Sequence, residues 1–146
     1  MGTTVLVVDD SCTVRKIILR CLRQAELGIS EVCEAGNGQE ALELLARRPI
    51  DAVLSDINMP QMDGIQLLTT LRGSQQWNHL PVLIISTEAG AEAVIDAISK
   101  GASGYIRKPF TASEIHDQLG PLLKASRKVC DRGTAEADLQ ETVTRA

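Results

Sequence analysis

Short, β-branched, almost wholly apolar runs alternate with helix-periodic segments five times along this chain. Thr4 to Val8 reads as a buried strand. Val14, Ile17, Ile18, Cys21, Leu22 and Ala25 then recur at three-and-four spacing, the stripe of an amphipathic helix. Ser11 can cap its start, and Gly28 lies past its end, where a left-handed residue is wanted. The alternation continues with a strand over 29–34, and with a helix opened by Asn37 and Glu40 at capping-box spacing and stopped before Pro49. Strand 52–55 leads to a helix capped by Asp63 and closed at Gly73. Strand 80–86 leads to a helix over 91–100 stopped by Gly101. Strand 103–107 leads to a last helix opened by Thr111 and Glu114. Strands that alternate with helices in this way build a doubly wound, parallel (βα)5 sheet of the α/β class.

Composition supports that architecture. Hydrophobic residues make up 44% of the 146 residues but aromatics only 2%, so Val, Ile, Leu and Ala must form the core. Strands covered by helices on both faces favour those residues. Two segments fit less well. Gly120-Pro121 falls inside the last helical pattern, where proline removes a donor, and a kink or early break is expected there. Residues 1–126 read as one domain, and 127–146 as a polar tail or the start of a linker.

Charge and cysteine content narrow the function. Fifteen basic against nineteen acidic residues give a net charge of -4, which argues against a basic nucleic-acid footprint. The four cysteines form no C-x-x-C pair and have no histidine at ligand spacing. Cys12, Cys21 and Cys33 lie in or beside apolar runs and read as small buried hydrophobes, reduced thiols that suit the cytoplasm. No stretch approaches the ~20 apolar residues of a membrane span.

In an open parallel sheet, ligands bind beyond the carboxyl ends of the strands where strand order reverses. The polar residues at those ends are Asp9 and Asp10 after strand one, Asp56 after strand three, Ser86 and Thr87 at strand four, and Lys108 after strand five. In the order 2-1-3-4-5 the three aspartates converge in one crevice. Carboxylates held that close need a cation or raised pKa values. Oxygen-only ligands select a hard ion such as Mg²⁺. Carboxylates, a metal, a lysine and a hydroxyl together suit phosphoryl transfer, with an aspartate as nucleophile.

Four stretches carry a family resemblance: Val8-Asp9-Asp10, Ser55-Asp56-Ile57-Asn58-Met59-Pro60-Gln61-Met62-Asp63-Gly64, Pro81-Val82-Leu83-Ile84-Ile85-Ser86 and Gly101-Ala102-Ser103-Gly104-Tyr105-Ile106-Arg107-Lys108-Pro109-Phe110. With them the chain resembles the receiver domains of two-component response regulators, most of all single-domain chemotaxis regulators of the CheY type, over about residues 3–124. The resemblance implies a signalling switch rather than an enzyme. Asp56 would be the phosphoacceptor. Asp10, Asp56 and the backbone carbonyl of Asn58 would ligate Mg²⁺, with Asp9 helping through water. Lys108 would contact the phosphoryl oxygens, Ser86 would be the switch hydroxyl and Tyr105 the aromatic that follows it. The Lys108-Pro109 bond is expected to be cis. A sensor histidine kinase would donate the phosphoryl group, and a downstream target, in chemotaxis a flagellar component, would read the surface of helix four, strand five and helix five. A phosphatase is a further expected partner.

Thr87 departs from the family pattern, where a smaller residue is common, and its bulk predicts slowed access to the phosphoryl group. Trp77, the only tryptophan, reads as loop packing rather than a partner anchor. Three other readings compete. The chain could be the receiver of a longer regulator, or a phosphate sink without an output partner. Gly36-Asn37-Gly38-Gln39-Glu40-Ala41 also matches a dinucleotide fingerprint, but after the second strand rather than the first.

Overall fold

A computed structural model describes residues 2–59, 61–87 and 91–135. Five strands and five helices alternate: β1 (Thr3–Val8), α1 (Cys12–Gln24), β2 (Ile29–Ala35), α2 (Gly38–Arg47), β3 (Ala52–Ser55), α3 (Gly64–Arg72), β4 (Val82–Ser86), α4 (Ala91–Ser99), β5 (Gly104–Arg107) and α5 (Ala112–Ala135). All strand pairs are parallel and the order is β2-β1-β3-β4-β5, as expected.

Successive side chains of a strand point to opposite faces, so each central strand feeds two cores. Leu6, Val53, Val82 and Ile84 face one way, onto Ala41 and Leu45 of α2, Leu67, Leu68 and Leu71 of α3 and Ala97 of α4. Val5, Val7, Leu54, Leu83 and Ile85 face the other way, onto Ile18 and Leu22 of α1 and Ile115, Leu119 and Leu123 of α5. Nearly every one of these side chains is fully buried, which is why the strands read as continuous apolar runs.

The helix starts follow the expected chemistry. The Ser11 hydroxyl accepts the Val14 N–H, and Asp63 forms a reciprocal capping box with Gln66. Thr111 and Glu114 exchange bonds in the same way at the start of α5. At α2 only half the box closes. Asn37 accepts the Glu40 N–H, but the Glu40 carboxylate reaches one residue further back, to the Gly36 N–H.

Three expectations are corrected. The left-handed residue just past α1 is Glu26, with φ 53°; Gly28, φ 71°, turns the chain later, into β2. Cys12 is exposed, because it opens α1 on the solvent side of the stripe, whereas Cys21 and Cys33 are buried. Finally, of the kink or early break expected at Gly120-Pro121, the break does not occur, and α5 runs through both residues. A proline inside a helix costs about 3 kcal/mol. Ile115, Leu119 and Leu123 are at most 2% exposed on the face that meets the sheet, and each such burial is worth roughly 1.5–3 kcal/mol. Packing therefore outweighs the local penalty. The helix carries into the segment read as a tail, and residues 136–146 lie outside the described residues. Among the described residues no helix is long and apolar enough to cross a membrane.

Candidate functional site

The backbone ladder itself delivers the polar residues to one edge. The Asp9 N–H donates to the carbonyl of Ala35, one step beyond the end of the β1–β2 pairing. The Asp56 N–H donates to Val8, and the Lys108 N–H to Ser86. Each residue thus sits one position past its strand, held by a neighbouring strand, at the carboxyl edge where β1 and β3 diverge. The order reverses there, so helices leave on opposite faces and a crevice opens.

The sequence-predicted aspartates meet in that crevice. Asp9, Asp10 and Asp56 bring carboxylate oxygens within 4.8 Å of one another. Asp9 is almost fully buried, Asp56 is half-buried and Asp10 is exposed. Lys108 Nζ stands 3.0 Å from Asp9 Oδ2 and 3.7 Å from Asp56 Oδ1. The Ile57 N–H donates to Asp56 Oδ1, and the Ser11 N–H to Asp9 Oδ1. Burial pushes the Asp56 carboxyl above the ordinary carboxylate range; Lys108 and the Ile57 N–H pull it down, while Asp9 and Asp10 push it up further.

Around this centre, Ser86 is fully buried as the last residue of β4, and Thr87 follows it into solvent. Tyr105 is half-buried on β5, paired in register with Ile84 two residues before Ser86. Asn58 is exposed, two residues beyond Asp56. The Lys108-Pro109 peptide is cis. His79 and His116 are exposed and lie away from the acidic cluster. Trp77 packs against the core beside Leu80.

Two residues of the site were not singled out by the sequence reading. Gly64 opens α3 against the loop that follows Asp56: its N–H donates to the Ile57 carbonyl at 2.8 Å, and a β-carbon there would stand 2.0 Å from the Asp56 carbonyl oxygen. A glycine directly after a helix cap, where most residues are better helix formers, was the available signal. The second is Arg15, whose guanidinium donates to the carbonyl of Asp9. The glycines of the dinucleotide-like stretch serve packing instead. The Gly38 N–H donates to Met62, and the Met62 side chain occupies the place a β-carbon of Gly38 would take.

Three carboxylates and a lysine thus stand together at the reversal point of a parallel α/β sheet. The response regulator receiver domain model matches residues 5–120, and the chain belongs to that family. It is 42% identical over 120 residues to the chemotaxis protein CheY-3 of Vibrio cholerae, covering 82% of this chain and 91% of that one. It is 40% identical over 115 residues to the chemotaxis protein CheY of Pseudomonas aeruginosa, covering 79% and 91%. Among solved structures, the chemotaxis response regulator CheY4 of Vibrio cholerae superposes with a TM-score of 0.74 at 32% identity, covering 84% of this chain and 99% of that one. The receiver domain of the Francisella response regulator 1452 does so at 0.76 and 32%, covering 86% and 99%. The chain is thus a receiver of the CheY type.

Proposed function

We propose that this chain is a phosphorylation switch in which Asp56 accepts a phosphoryl group from a partner histidine kinase. The observation that carries the reading is the position of Lys108, within ion-pair distance of both Asp9 and Asp56 although the three residues come from three strand ends. A structural lysine needs only one such partner. A lysine that must also meet an incoming phosphoryl group is served by this intermediate place.

In the transfer, a carboxylate oxygen of Asp56 forms a bond to phosphorus as the bond from phosphorus to the donor nitrogen breaks, and the electron pair leaves with the donor imidazole. Lys108 balances charge on the phosphoryl oxygens. Asp9, nearly out of water, holds Lys108 at its post. The clustered carboxylate oxygens fit a hard divalent cation. Asp10, Asp56 and the backbone carbonyl of Asn58 would hold Mg²⁺, with Asp9 assisting through water. When bound, Mg²⁺ supplies positive charge opposite the transferring group.

The phosphoryl group brings charge and strong acceptor oxygens to the crevice. Ser86 would turn toward it, Thr87 would narrow its approach, and Tyr105 would move into the space released. The surface of α4, β5 and α5 would then be read by a downstream protein. The CheY-type relatives favour a chemotaxis or flagellar target and a cytoplasmic setting. The chain would promote its own phosphorylation and hydrolysis without turning over a separate substrate.

Intact-mass measurement after incubation with Mg²⁺ and acetyl phosphate tests the reading. Wild type should gain about 80 Da, the mass of one covalent phosphoryl group, and Asp56→Asn should gain nothing. A folded wild type that gains no mass would refute it.

A further inference from the structure

We propose that Arg15 is a positioning residue for the acidic cluster, which aims the Asp10 carboxylate by holding the peptide between Asp9 and Asp10. The inference rests on the cation reading above and extends it to a residue outside the cluster.

Arg15 lies on α1, and its Nη1 donates to the carbonyl oxygen of Asp9 at 2.5 Å. Its Nε pairs with Glu34 Oε1 at 2.9 Å. An exposed arginine–glutamate pair alone is worth little, about 0–1 kcal/mol, and would carry nothing. Here the arginine side chain is 18% exposed and spends its second donor on a backbone carbonyl beside the site.

That carbonyl belongs to the Asp9–Asp10 peptide. A peptide is planar, so fixing the oxygen and the Asp9 Cα also fixes the Asp10 nitrogen and Cα. Asp9 itself is held at every polar atom. Its N–H donates to Ala35, its Oδ1 accepts the Ser11 N–H, and its Oδ2 pairs with Lys108. Arg15 supplies the fourth tie, on the carbonyl. The ties close two rings. One runs from Asp9 Oδ1 to Ser11, from the Ser11 carbonyl to the Arg15 N–H, and from the guanidinium back to Asp9. The other runs through Glu34, the residue before Ala35, which accepts from Asp9. Asp10 is exposed, and the peptide that precedes it fixes where its Cα stands over the crevice.

Charge and positioning predict opposite signs for the loss of Arg15. Removing a positive charge beside three carboxylates strengthens cation binding. Releasing the peptide weakens it, and the loss of a residue that orients a ligand typically costs about 10–100-fold in metal affinity. Isothermal titration of unphosphorylated protein with MgCl₂ reads the sign directly. Arg15→Ala should bind Mg²⁺ at least about ten-fold more weakly than wild type. In an Asp10→Asn background the same substitution should cause no further loss, since it acts through Asp10. Should Arg15→Ala fail to fold by circular dichroism, Arg15→Gln is read in the same way. Equal or tighter binding by the folded variant overturns the role of Arg15 and leaves the cation reading intact. Wild type that does not bind Mg²⁺ overturns both.

Discussion

Lys108 is closer to Asp9 than to Asp56, at 3.0 Å against 3.7 Å. Its standing partner is therefore the more buried carboxylate, with side-chain exposure of 2% against 11%. Lys108→Met should leave Asp9 as a nearly buried charge without its cation. Breaking a buried pair costs about 3–5 kcal/mol, and the 15% exposure of Lys108 lowers the expectation to about 2–3 kcal/mol. Urea unfolding without divalent cations measures this. Mg²⁺ should then restore more stability to the variant than to wild type, and an unchanged midpoint would show that Asp9 has another source of compensation.

Asp56 carries a stability cost that depends on pH. Burial raises its pKa in the folded state. Folding therefore favours the protonated form; the stability that goes with that form is complete below the unfolded pKa and is lost as pH rises through the folded one. Metal-free Asp56→Asn should thus melt higher than wild type at neutral pH. The gap should close as pH falls toward the ordinary carboxylate range. Parallel thermal melts at several pH values check the sign, and a gap that widens on acidification contradicts it.

Gly64 has no room for a side chain. A β-carbon would come within 2.0 Å of the Asp56 carbonyl oxygen and 3.0 Å of the Ile57 Cα, and both are backbone atoms that cannot rotate away. Gly64→Ala should cost at least about 1–3 kcal/mol, the usual range for overpacking. It should also slow labelling by acetyl phosphate, because relief of the clash moves Asp56. Denaturation and time-resolved mass measurement follow the two effects.

Gly120 is the contrasting case. It lies in the body of α5, and among the described residues outside its own helix a β-carbon there would meet Leu27 Cδ2, at 3.4 Å. Gly120→Ala should therefore change stability by less than about 1 kcal/mol, because the gain of about 0.5–1 kcal/mol from replacing a helical glycine is opposed by crowding of the new β-carbon against the ring of Pro121, the next residue. Unfolding midpoints decide it, and a loss well beyond about 1 kcal/mol would mean that neither Leu27 nor the Pro121 ring can yield.

Most of the architecture could be read from one dimension. Fully buried strands announce themselves as β-branched runs, and β3 falls on residues 52–55 as read. The polar residues of the crevice were legible because the end of a strand is a position in the sequence. Relationships between distant backbones were not. Nothing local marks Arg15 as the partner of the Asp9 carbonyl, since a long side chain can reach many places. The proline in α5 misled for the opposite reason. Its local penalty is plain in the sequence, while the burial of Ile115, Leu119 and Leu123 that offsets it exists only once the sheet has formed.

Trp77 lies in the loop that enters β4, packed beside Leu80, and its carbonyl accepts from Arg72. The crevice opens at the other end of the same strand, past Ser86. The chain's sole indole is thus separated from the carboxylates by the full length of a sheet strand. Its emission is a gauge of whether the hydrophobic layers are assembled, and a poor optical reporter of what occupies the acidic end. A fluorescent readout of ion or phosphoryl binding would need a new chromophore placed beside Asp56.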